Sequence, residues 1–116
     1  MNPDVAYLEH IAEAIRRIQT YTTGGRRAFE ADLLTQDGVI RNLEVIGEAT
    51  RRLSANLRRR YPEVPWQRMA AMRDVLIHNY LGVDLRLVWD AVEHRLPEVQ
   101  AQIDAIRAIM AGQDSA

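Results

Sequence analysis

The feature that most constrains this chain is one apolar seam. Val39, Leu43, Ile46, Thr50, Leu53 and Leu57 recur at alternating spacings of four and three. That spacing returns to the same face of an α-helix, so the seam predicts one long helix from about Gln36 to Arg60 with neighbours that cover it. Gly47 lies inside the seam. A glycine there costs about 1 kcal/mol relative to alanine, and it predicts the close approach of another backbone.

The rest of the chain is helical by the same reasoning. No stretch alternates apolar and polar residues, and no Asn-Gly or Asp-Gly pair joins two apolar runs, so no strand is expected. A first helix is predicted from about Pro3 to Thr22, capped by Asn2 and stopped by Gly24-Gly25, with Leu8, Ile11, Ala12, Ile15 and Ile18 inward. A short helix follows from Arg27 to Leu34, with Phe29 and Leu33 inward. Tyr61-Pro62-Glu63-Val64-Pro65 breaks the chain, and a further helix runs from Trp66 to about Tyr80, ended by Gly82. Asp84 is the expected cap of a helix carrying Leu87, Val88, Ala91 and Val92. Leu96-Pro97 should interrupt it before a last segment with Val99, Ile103, Ile106 and Met110.

The fold class that follows is all-α, an antiparallel four-to-five-helix bundle, with the helices over residues 36–60 and 66–80 at its centre. Residues 1–116 read as a single domain, with about 112–116 a flexible tail. There is no cysteine, which excludes thiolate nucleophiles and cysteine metal sites. His10, His78 and His94 have no metal-ligand spacing, so no metal site and no cofactor are expected. No apolar run reaches the length of a membrane span, and Met1-Asn2-Pro3-Asp4 is not the start of a secretory signal. A cytoplasmic protein is the default expectation. Formal net charge is -1, so there is no global polyanion signal. Every basic side chain other than histidine is arginine, clustered at 16–17, 26–27, 51–52 and 58–60. Taken singly, each cluster reads as a solvated helix face.

One segment departs from this plain pattern: Arg73-Asp74-Val75-Leu76-Ile77-His78-Asn79-Tyr80. At about 100° per residue, Trp66, Met69, Ala70, Arg73, Leu76, Ile77 and Tyr80 share one stripe of the helix. Ala71, Met72, Val75 and His78 form a second. An arginine set in an apolar stripe needs a partner, because burying an unpaired charge costs several kcal/mol. Arg73 and His78 stand roughly 140° apart around the helix. A two-fold interface across the helix would gather both residues from two chains into one cationic cleft. Imidazole moves protons near neutral pH and guanidinium holds phosphate oxygens, so such a cleft suits phosphodiester chemistry. The structural alternative is an ion pair with Glu44 or Glu48 of the preceding helix. Those two carboxylates can equally pair with Arg41, Arg51 or Arg52 on their own helix.

The Arg-x4-His-x-Tyr spacing of Arg73, His78 and Tyr80 resembles the motif of the HepT-like branch of the HEPN superfamily. Further likeness lies in Arg41-Asn42-Leu43-Glu44-Val45-Ile46-Gly47-Glu48-Ala49, Pro65-Trp66, Gly82-Val83-Asp84, Val88-Trp89 and Leu96-Pro97. The resemblance implies a HEPN-like homodimer with Arg73 and His78 of both chains in a composite site. It implies metal-independent RNA cleavage within a type VII toxin–antitoxin module. Arg73 and His78 would be the catalytic residues, with Asp74, Asn79, Glu44 and Glu48 in support. It also implies a minimal nucleotidyltransferase antitoxin of the MntA-like kind, which would add AMP to Tyr80. A different function remains open: a non-catalytic dimer that binds nucleotide or scaffolds the nucleotidyltransferase.

Overall fold

The computed structural model describes residues 2–77, 82 and 84–115. Its elements are α1 (Pro3–Tyr21), α2 (Gly25–Ala31), α3 (Leu33–Arg52), α4 (Ala55–Arg60), α5 (Trp66–Ile77), α6 (Leu85–Asp90), a π-helical turn (Ala91–Arg95) and α7 (Leu96–Ser115). All the described regular structure is helical. Among the long rods α1 packs on α3, α3 on α5 and α1 on α7, and α5 and α7 line one cleft with Ile46 of α3. The seam is covered as its spacing requires: Val39, Leu43, Ile46 and Thr50 of α3, Leu53 just after it and Leu57 of α4 are all buried, and so is Gly47. α3 is the central rod, with α1 and α5 both packed against it.

Local chemistry sets the helix ends. Asn2 caps α1 by accepting from the Asp4 N–H at 3.0 Å, and Asp84 caps α6 by accepting from the Arg86 N–H. Gly25, with φ of 86°, takes the left-handed conformation that lets the chain turn from α1 into α2. Gly82, ahead of α6, also has a positive φ, 110°, which favours glycine.

Four expectations are corrected by tertiary contacts. Helix α2 ends at Ala31, and Leu33 is 75% exposed at the start of α3 rather than inward. The cause is Asp32, whose carboxylate accepts from the Leu34 N–H and the Thr35 hydroxyl and so caps α3 there. Gln36 then donates its side-chain amide to the carbonyls of Phe29 and Glu30, which satisfies the end of α2.

The long helix expected over 36–60 is broken at Leu53-Ser54, where both residues are extended. Asp4, buried at the start of α1, accepts from the Ser54 N–H at 2.8 Å and from its hydroxyl at 2.6 Å. Ser54 in turn caps α4 by accepting from the Leu57 N–H. A carboxylate fifty residues away therefore ends one helix and starts the next. Asp4→Ala is expected to lower the unfolding free energy by about 1.5–3 kcal/mol, the range for hydrogen bonds to a charged group, as read by chemical denaturation.

Leu87 is 65% exposed, and Trp89 takes the inward place instead. The indole stacks at a tilt on Phe29, with ring centroids 5.4 Å apart, and donates to Glu93 at 2.7 Å. The two rings thus tie α2 to α6, which a single-helix pattern does not encode.

Leu96-Pro97 does not interrupt the helix. The backbone passes from α6 through the π-helical turn into α7, with the Leu96 N–H bonded to the Ala91 carbonyl. Proline has no N–H and its ring crowds the carbonyl four residues back. A wider turn at that place removes the conflict and lets the helix continue. Val99, Ile103, Ile106 and Met110 are buried as their spacing predicts.

Candidate functional site

Helix α5 carries the first part of the singled-out segment. Its start is anchored by Trp66, which is buried and donates its indole N–H to the Tyr61 carbonyl at 2.9 Å. Met69 is buried one turn on, Met72 is half-buried, and Gln67, Arg68 and Ala71 face solvent. The inward stripe therefore begins as expected at Trp66 and Met69. Arg73 and Asp74 stand in α5 by their backbone. His78, Asn79 and Tyr80 lie outside the described residues, as do the side chains of Arg73 and Asp74.

The supporting carboxylates are on α3, the helix against which α5 packs. Glu44 pairs with Arg41 at 3.9 Å, and Glu48 with Arg52 at 3.1 Å. Both pairs are the own-helix partnerships that the i, i+3 and i, i+4 spacings allow.

These four charged residues line an open cleft of about 460 Å³ between α1 and α3, together with Tyr7 and His10. The ring of His10 stands edge-on to Tyr7, with centroids 6.2 Å apart. The Tyr7 hydroxyl, and after it the Glu48 carboxylate, raise the Arg52 guanidinium above its ordinary value. Sequence reasoning passed over Tyr7 and His10 as site residues. Their spacing of three puts them on one face of α1, but only the packing of α1 on α3 sets that face beside Glu44 and Glu48. The cleft offers an aromatic pair, one imidazole, two guanidinium groups and two carboxylates. Two carboxylates lie between two guanidinium groups along it, so it supplies hydrogen-bonding groups of both kinds rather than a uniformly cationic surface.

Among the described residues, no three His, Asp or Glu side chains are grouped to hold a metal ion. No helix among them is long and apolar enough to cross a membrane.

Comparison with known proteins bears on the same segment. A family model described as ribonuclease HepT-like matches residues 11–106. A probable ribonuclease HepT of Thermococcus cleftensis is 44% identical over 104 residues, which is 87% of this chain and 93% of that protein. A putative RNase of Methanocaldococcus jannaschii is 39% identical over 110 residues, 94% of this chain and 91% of its own length. A second protein of that organism, named gamma-glutamylcyclotransferase and putative RNase, is 43% identical over 108 residues. The match covers 89% of this chain but 47% of that longer protein. No solved structure matches.

Proposed function

We propose that this chain, which belongs to the ribonuclease HepT-like family, is an RNase toxin that cuts RNA without a metal ion at a composite site in a homodimer. The observation that carries the proposal is the family match over residues 11–106, which includes the whole Arg73–Tyr80 segment. The placement of Arg73 in a helix that packs on the core supports it, since an arginine there needs a strong reason.

In this reading the RNA 2′-hydroxyl attacks the adjacent phosphorus. His78 accepts the hydroxyl proton, and a second imidazole, from the partner chain, donates one to the leaving 5′-oxygen. Arg73 holds the phosphoryl oxygens and favours the charge that gathers on them in the transition state. Asp74 and Asn79 orient these two, and Glu44 and Glu48 neutralise and position guanidinium groups along α3. The products are a 2′,3′-cyclic phosphate and a 5′-hydroxyl. The partner is a minimal nucleotidyltransferase antitoxin, which adds AMP to Tyr80 and so places negative charge where RNA phosphate must sit.

The test is incubation of the purified protein with total RNA in EDTA, with end-group analysis, beside His78→Ala. Cleavage to cyclic-phosphate and 5′-hydroxyl ends by the unmodified protein alone is the expected result. No cleavage, or equal cleavage by the variant, would overturn the catalytic reading in favour of a binding or scaffolding role. Light scattering on the same sample is expected to give a dimer at micromolar concentration.

A further inference from the structure

The structure divides the arginines into two groups. Among the described residues, Arg16, Arg17, Arg26, Arg41, Arg52, Arg86, Arg95 and Arg107 each pair with a carboxylate close by in sequence. Among the same residues Arg27 on α2 and Arg58, Arg59, Arg60 and Arg68 make no ion pair, and Arg59 bonds only the neutral Asn56 side chain. Arg58 is half-buried, and its enclosed Nε meets no acceptor. Arg59, Arg60 and Arg68 are exposed. Arg68 shares a cleft with Glu63 and Glu98, yet neither carboxylate comes within ion-pairing distance. Residues 51–72 hold six arginines and one acidic residue, in a chain whose net charge is -1.

Three of these cations are consecutive at the end of α4. The end of α4 is joined to the start of α5 by the Trp66 indole bond to the Tyr61 carbonyl and by the Val64 N–H bond to the same carbonyl. Arg58, Arg59 and Arg60 occupy the last turn of α4, and Arg68 the first turn of α5. Arg73 follows five residues later on α5, about 7.5 Å further along the axis at 1.5 Å per residue. The last turn of a helix favours cations, but by less than about 1 kcal/mol at an exposed site, and it does not neutralise them. Unpaired guanidinium groups concentrated in an otherwise charge-compensated protein form a surface for a polyanion, and arginine's planar fork matches phosphate.

We infer that Arg58, Arg59 and Arg60, at the end of α4, form a phosphate-binding surface for single-stranded RNA that lies outside the cleavage site. The inference rests on the proposed RNase reading for the identity of the polyanion. Contacts of this kind position the strand and carry no base specificity.

The test measures affinity for a mixed-sequence single-stranded RNA whose 2′-hydroxyls are methylated, so that the unmodified protein cannot cut it. Titrations at several salt concentrations give the slope of log affinity against log salt. Each phosphate contact on a single strand contributes about 0.7 to that slope. Changing Arg58, Arg59 and Arg60 together to glutamine is expected to weaken binding at low salt and make the slope shallower by about 2. Arg59→Gln with Arg60→Gln, which spares the half-buried Arg58, should remove about 1.4 of it. Arg16→Gln with Arg17→Gln, at arginines already paired to Glu13, should leave it unchanged. Unchanged slopes in the α4 variants, or no RNA binding by the unmodified protein, would overturn the inference. An α4-dependent slope in a protein that fails the EDTA cleavage test would uphold the surface and overturn the RNase reading alone.

Discussion

His78→Ala is expected to lower the rate of RNA cleavage by about 10²- to 10⁴-fold, the range for loss of a positioned general acid or base. Arg73→Ala should lower it by about 10²- to 10³-fold, as removal of one oxyanion donor does elsewhere. The two losses should be distinguishable. With His78 gone, the remaining rate should lose its dependence on a group titrating near neutral pH, because imidazole is the only unperturbed side chain that titrates there. With Arg73 gone, the pH profile should keep its shape and fall throughout. Single-turnover cleavage in EDTA across pH, with circular dichroism of each variant, would read both effects. Full activity in either variant, at equal helicity, would remove that residue from the chemistry. Loss of helicity in Arg73→Ala would instead mark Arg73 as an ion-pair partner that holds α5 on α3.

The second large effect concerns regulation. Tyr80→Phe is expected to keep RNA cleavage and growth inhibition but to escape neutralisation by a cognate nucleotidyltransferase. A phenol with an ordinary pKa near 10 is a poor base at neutral pH, so cleavage does not need it. Adenylylation requires the hydroxyl, and phenylalanine lacks it. AMP adds a negative charge and a bulky ring system beside arginines meant for RNA phosphate. Mass spectrometry after coexpression should find the added AMP on the peptide that contains Tyr80. AMP on Tyr7, Tyr21 or Tyr61 instead, or full neutralisation of the phenylalanine variant, would remove the switch role from Tyr80. The position of Tyr7 in the α1–α3 cleft, which Arg52 also lines, makes it an informative control.

Periodicity alone determined a good deal about this protein. It specified helices throughout, the buried seam of α3, the inward faces of α1 and α7, and the caps at Asn2 and Asp84. These are local matters: the apolar spacing fits the helix pitch, and a capping side chain reaches the N–H two residues on. The segment from Arg73 to Tyr80 stands out in the sequence, because charged and titratable groups are costly in an apolar stripe. Only the tertiary structure decided the rest. The break at Leu53-Ser54 depends on Asp4, and the choice of Phe29 as the ring that Trp89 stacks on is a tertiary one, each partner being distant in sequence. The wide turn before Pro97 depends on how the backbone relieves a clash within a helix that the core holds in place. The shared cleft of Tyr7 and His10 with the α3 carboxylates depends on which helix faces meet. A hydrophobic pattern states that a face must be buried, but burial is non-directional, and only specific hydrogen bonds and packed rings choose its partner.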